Sequence, residues 1–246
     1  MPHLPAWMHR LRPFAVPIWV AIAIALSVAV YQTLIGKPYD SEIINAPSLE
    51  SETITHIFLS GVSFGIVAVV GVPLGVLIAQ AGPIVRAPVF LLANLGQAIP
   101  GIGLLVLLFA FFGLGTAPTV IALVLYGLLP VLRNTVAGIQ SVDPAAVDAA
   151  RGMGMTHWQA LMRVQLPLAS PLIFAGLRTA LVLIIGTATL GNFIGGGGLG
   201  DVIANGINNS DRVVFVGAVM VASLALLADW ALSMVERVAV PRRVNS

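Results

Sequence analysis

Few residues in this chain are equipped for chemistry, and two of them are charges set in long apolar runs. Arg178 and Asp229 each interrupt such a run, where a charge is costly unless it is paired or put to use. Arg178 lies 11 residues after Pro167, and Asp229 lies seven before Glu236. At ~1.5 Å per helical residue, these offsets put them about 16 and 10 Å from one membrane face, close enough to meet. A buried structural ion pair is the expected role, ahead of a substrate site. Asn94, Gln97 and Pro100 form a second group, two amides beside a helix break. Lipid cannot satisfy an amide, so these side chains must face protein or a watery path. They are candidate gate or pathway residues, with interhelical hydrogen bonding as the plainer reading.

Other motifs offer less. The histidines His3, His9, His56 and His157 include no pair at metal-ligand spacing on a helix, so surface or interfacial positions and no metal site are expected. Gly195, Gly197 and Gly200 formally fit G-x-G-x-x-G. No strand precedes them, no acidic residue follows at the required distance, and no Gly-Lys-Ser/Thr is present, so the chain is not expected to bind ATP. Hydrolytic and thiol catalysis have no support, since there is no G-x-S-x-G and no cysteine. No catalytic residue and no cofactor of its own is expected.

The elements that must position these groups are membrane helices. Of 246 residues, 58% are hydrophobic and 9% charged, against about 25% charged in soluble domains. That balance implies an all-α, polytopic membrane protein with a single domain over residues 1–246. The net charge of +2 is too small to suggest nucleic acid. Six spans are expected, at about 14–34, 56–80, 88–112, 119–139, 168–190 and 213–235. The first is long for the apolar core of a signal peptide and is read as retained. Pro73 should kink the second. Residues 36–55 and 191–212 should be polar segments on the far side, with the glycines Gly195 to Gly198 as a flexible joint.

Charge sets the orientation. Arg10, Arg12, Arg86, Arg133, Arg151, Arg163, Arg237, Arg242 and Arg243 fall on one side, with only Lys37 and Arg212 on the other. The first side is therefore the cytoplasm, with both termini in it.

Between the fourth and fifth spans lies a polar stretch, 143–167. Asp143 followed by Pro144 reads as an N-cap and first helical residue. Gly152 and Gly154 should break that helix. Thr156 and Gln159 form a capping box for a second short helix carrying Trp158, Leu161 and Met162, which Pro167 should end.

Within it, Asp148-Ala149-Ala150, three residues, Gly154, nine residues, then Val164-x-Leu166-Pro167 resembles the EAA loop of bacterial ABC importer permeases. Asp148 stands where that family has Glu, and Val164 where it has Ile. The resemblance covers 20 residues at fixed spacing. It implies the type I importer fold of the methionine-permease kind, in a bacterial cytoplasmic membrane. It also implies that Asp148, Ala149, Ala150, Gly154, Trp158, Leu166 and Pro167 couple the chain to an ATPase. The expected partners are a dimer of ATP-binding subunits carrying ATP and Mg, a second permease (identical or homologous), an extracytoplasmic substrate-binding protein and membrane lipid. The stretch from Gly191 to Ile203, GNFIGGGGLGDVI, is similar to the osmoprotectant branch, which handles glycine betaine, carnitine and choline. A methionine-type amino-acid importer is the nearest alternative, and a secondary transporter a more distant one.

Quaternary ammonium ligands are held over aromatic faces. The outward segments offer only Tyr39 and Phe193, while Trp7, Trp19, Trp158 and Trp230 fall toward the cytoplasmic side. Selectivity is therefore expected in the binding protein. A membrane site, if this chain had one, would draw on Asn94, Gln97, Phe109, Phe111 and Phe112.

Overall fold

A computed structural model describes residues 15–33 and 45–239. Arg10, Arg12, Lys37, Tyr39, Arg242 and Arg243, together with His3, Trp7 and His9, lie outside the described residues, as do the limits expected for the first span. The described residues form helices joined by short turns, with no strand among them. Four helical runs are long and apolar enough to cross a membrane: Pro47–Gln80, Thr116–Gln140, His157–Ile194 and Asp211–Ala239.

The first helix, α1, is Ala15–Thr33. The second begins at Ala46, well before the expected start at His56. Its cap explains the difference: Asn45 Oδ1 accepts from the Ser48 N–H at 2.9 Å, and Pro47 occupies a first-turn position that needs no donor. Half of the expected polar segment is therefore helix. This α2, Ala46–Ile66, passes through a π-turn at Val67–Gly71 into α3, Val72–Gln80. The widened turn sits directly before Pro73, whose missing N–H would otherwise break the α-helical ladder.

The expected third span is two helices. α4, Pro83–Ala98, and α5, Gly101–Phe112, are separated by the extended residues Ile99 and Pro100. At ~1.5 Å per residue they are about 24 and 18 Å long, and neither matches a hydrocarbon core of about 30 Å. α6 is Thr116–Gln140 and α7 is Pro144–Gly152. α8, His157–Ala160, does not end at Pro167 as expected. A second π-turn, Leu161–Gln165, again precedes the proline, and the helix runs on as α9, Leu166–Ala188, into a 3-10 turn at Thr189–Ile194. The second short helix of 143–167 and the fifth span are thus one rod. α10, Leu199–Ile207, and α11, Asp211–Ala239, complete the chain.

α6 is the centre, touching α2, α3, α4, α5 and α9. It closes on α9 at glycines. A Cβ on Gly176 would sit 2.6 Å from Asn134 Cβ, and one on Gly127 2.6 Å from Ile184 Cδ1. Small residues let membrane helices approach to gain dispersion contact, where no hydrophobic drive distinguishes helix from lipid. The glycine segment is not a flexible joint. α10 is packed, with Leu199 and Val202 buried against Val213 and Val216 of α11 and Leu181 and Ile185 of α9.

Candidate functional site

The stretch 143–167 folds as a capped helical hairpin at the arginine-rich face. Asp143 Oδ1 accepts from the Ala145 N–H at 2.9 Å and opens α7. At its end the Gly154 N–H donates to Arg151 O and the Met155 N–H to Ala150 O. Gly154 has φ +86°, the left-handed value this double closure requires. The helix continues through Gly152, so Gly154 makes the break. The capping box is complete: the Gln159 N–H donates to Thr156 Oγ1 at 3.3 Å, and the Thr156 N–H to Gln159 Oε1 at 2.9 Å. Arg151 donates to His157 Nδ1 at 3.2 Å across the turn.

These bonds fix which residues face outward. Asp148, Ala149, Gly154 and Trp158 are exposed, and so are Met153 and Met162. Ala150 is 1% exposed; it closes α7 onto the following turn and is not available for docking. Leu166 and Pro167 are half-buried at the hairpin base, with Leu166 packed on the cluster of Val76, Ile139, Leu161 and Ala169. The result is a rigid apolar tip, Met153, Trp158 and Met162, on a rod reaching into the membrane. A single sequence identifies such methionines as apolar but not as exposed.

Asn94 and Gln97 share one wall of α4 and are spent on α6. Asn94 Oδ1 accepts from Arg133 Nη2 at 2.5 Å, and Gln97 Nε2 donates to Tyr126 O at 2.8 Å. Tyr126 in turn donates its hydroxyl to Ile99 O at 2.5 Å, beside exposed Pro100. Both amides thus hydrogen-bond between helices. Phe109, Phe111 and Phe112 are exposed on α5, beyond the break, and form no cage with them.

Arg178 and Asp229 meet in a bidentate fork, with Nε–Oδ1 at 2.7 Å and Nη2–Oδ2 at 2.8 Å. Glu236 Oε2 stands 3.6 Å from the remaining Nη1. The pair is not buried as expected. Its side chains are 38% and 30% exposed, on the wall of an open cleft of about 610 Å³ lined also by Ala175, Thr179, Val182 and Leu183.

A further polar group escaped the sequence reading. His56, expected at a surface, is fully buried, and its Nε2 lies 3.0 Å from Ile185 O. A carbonyl only accepts, so Nε2 carries the proton. One turn away, Glu52 Oε2 accepts from the Gly198 N–H at 2.8 Å, and Asp201 Oδ1 accepts from Asn192 Nδ2 at 2.5 Å. The clue was local: Glu52 and His56 are spaced to share one helix face. Among the described residues no group of acids and histidines is arranged to hold a metal.

Long apolar helices around glycine-packed crossings, with a capped apolar hairpin at one end, define a polytopic membrane protein. The chain belongs to the family of binding-protein-dependent transport system inner membrane components, whose pattern matches residues 71–239. It is a multi-pass inner-membrane protein. It is 43% identical over 188 residues to the carnitine transport permease protein OpuCD of Listeria monocytogenes, covering 74% of this chain and 82% of that one. It is 41% identical over 211 residues to the osmoprotectant import permease protein OsmW of Salmonella typhimurium (82% and 96%). It is 42% identical over 188 residues to the glycine betaine/carnitine/choline transport system permease protein OpuCD of Bacillus subtilis (76% and 82%). The fold matches the inward-facing MetNI methionine ABC transporter at a TM-score of 0.72 and 23% identity, over 80% of this chain and 100% of that one.

Proposed function

We propose that this chain is the permease subunit of an ATP-driven importer of quaternary ammonium osmoprotectants such as glycine betaine, carnitine or choline. Identity above 40% to permeases named for these solutes, over most of both chains, carries the reading. The likeness to a methionine transporter is one of fold and gives no support to an amino-acid substrate.

In this reading α1 and the broken α4–α5 pair add two crossings to the four long runs, and both termini are cytoplasmic. Two permeases enclose one path, and a separate dimer of ATP-binding subunits, carrying ATP and Mg, sits beneath them. The tip formed by Met153, Trp158 and Met162 docks on that ATPase, with Asp148, Ala149 and Gly154 at its edge. Exposed apolar side chains in water are stabilised by being covered. When ATP closes the ATPase dimer, the hairpins are drawn together, and the unbroken rod from α8 through α9 transmits the movement into the membrane. An extracytoplasmic binding protein delivers the solute and sets the selectivity.

The test is ATPase activity of the reconstituted complex. Solute-loaded binding protein should stimulate hydrolysis, and the substitution Trp158→Ala should abolish the stimulation. Equal hydrolysis with loaded and empty binding protein would contradict the reading.

A further inference from the structure

The open cleft beside Arg178 and Asp229 carries an inference beyond the coupling scheme. Asp229 stands seven residues before Glu236 and Arg178 11 after Pro167, about 10 and 16 Å at ~1.5 Å per residue, and so within the hydrocarbon layer. Side chains that are 38% and 30% exposed at such depth meet something other than lipid, because hydrocarbon cannot solvate an ion pair.

The surfaces of two helices differ accordingly. On α2 and its π-turn, Phe58, Val62, Ile66 and Val69 form an exposed stripe of large apolar side chains with no charge, and Val69 is 75% exposed. That is a surface made for lipid. On α9 the exposed stripe beside the pair is Ala175, Thr179 and Val182, small or polar at its centre. Thr179 donates its hydroxyl to Ala175 O at 2.9 Å and is satisfied within its own helix. The cleft, about 610 Å³, falls within the usual range for small-solute sites, roughly 300–1,000 Å³.

We propose that this cleft is a water-facing stretch of the transport path that discriminates by charge, admitting cationic and zwitterionic quaternary ammonium solutes over anions. The class of solute rests on the function proposed above; the charge preference rests on the cleft. Asp229 and Glu236 are two carboxylates against the single guanidinium of Arg178, while α1, packed alongside, has no charged residue. Glu236 acts through its 3.6 Å approach to Arg178 Nη1; neither it nor the Arg237 that follows it lines the cleft. The local excess of negative charge favours a trimethylammonium group. Asp229 uses Nε and Nη2 of Arg178, whereas Nη1 is 3.6 Å from Glu236, beyond hydrogen-bond length. Nη1 therefore keeps donors for the carboxylate of a zwitterion.

The chain has no cysteine, so single thiols report cleanly. Thr179→Cys, Val182→Cys and Val69→Cys are made in the complete transporter in membranes, with Asn208→Cys, in the exposed turn between α10 and α11, as a reactive control. Each is treated, with and without ATP, with methanethiosulfonates carrying a trimethylammonium or a sulfonate group. Rates are normalised to those of free cysteine. Thiols at positions 179 and 182 should react, at least tenfold faster with the cation, and position 69 should stay silent. Adding Glu236→Gln should reduce that preference several-fold. Silence at 179 and 182 in both conditions, while position 208 reacts, overturns the water-facing path. Equal normalised rates for the two reagents overturn charge discrimination. Labelling requires no transported solute, so a failed solute assignment, read separately by uptake in the parent transporter, leaves this result standing.

Discussion

The carboxylate of Glu52 accepts a hydrogen bond from the backbone N–H of Gly198 at 2.8 Å, tying α2 to the start of α10. An acid at a helix N-terminus meets the positive end of the helix dipole. Gly198, at φ +89°, lies directly against His56. The turn from Gly195 to Gly198 is therefore held from α2 as well as by its own backbone.

Glu52→Ala should remove this tie and lower stability by about 1–3 kcal/mol, the usual range for a hydrogen bond to a charged group. Glu52→Gln should keep most of it, because the amide oxygen still accepts. Thermal unfolding in detergent checks the order: parent, then Gln, then Ala.

Gly200 has no room for a side chain. A Cβ there would lie 2.0 Å from Thr189 O, a backbone atom that cannot rotate away. Gly200→Ala should destabilise by at least the roughly 1–3 kcal/mol typical of overpacking. Gly186→Ala, where a Cβ meets nothing within 4 Å, is the matched control. Equal unfolding temperatures for the two variants would contradict the packing of α10 on the 3-10 turn that follows α9.

The Arg178–Asp229 fork should show as a coupling energy. In a double-mutant cycle with Arg178→Leu and Asp229→Leu, about 1–3 kcal/mol is expected, within the range for contacting residues. The cleft lets water reach a charge left alone, so a single substitution should cost less than the roughly 3–5 kcal/mol of a fully buried pair. Additive effects in unfolding measurements would remove the interaction.

Local chemistry made much of this readable in advance. Asp143, Thr156, Gln159 and Gly154 are capping residues whose function depends on near neighbours, and the hairpin they define is present in the fold. Helix rise alone placed Arg178 and Asp229 within reach. What was not legible depends on distant packing. The run from Gly195 to Gly198 reads as flexible because glycine permits many conformations, yet His56 and Thr119 fill the space beside those glycines. Pro167 reads as a terminator because an α-helix cannot absorb it, whereas a π-turn can. The exposure of the ion pair, and the burial of Ala150, depend on which face each helix presents, which a single sequence does not specify.

At the hairpin, Trp158→Ala and Asp148→Lys should abolish transport while membrane insertion and unfolding temperature stay near the parent's, because both side chains are exposed. A Cβ at Gly154 meets no atom within 4 Å, but Gly154→Val is forced to φ +86°, a left-handed conformation costing about 1–2 kcal/mol. It should distort the tip and lose transport with only that modest loss of stability. Normal uptake by all three would show that the hairpin does not couple to an ATPase.

The most direct measurement is solute accumulation in proteoliposomes holding this permease, its ATPase and, outside, its binding protein. Radiolabelled carnitine, glycine betaine or choline should accumulate against a gradient only with ATP and Mg at the ATPase and binding protein opposite. Accumulation driven by an ion gradient without ATP, or ATP-driven uptake of methionine with none of any quaternary ammonium solute, would contradict the account.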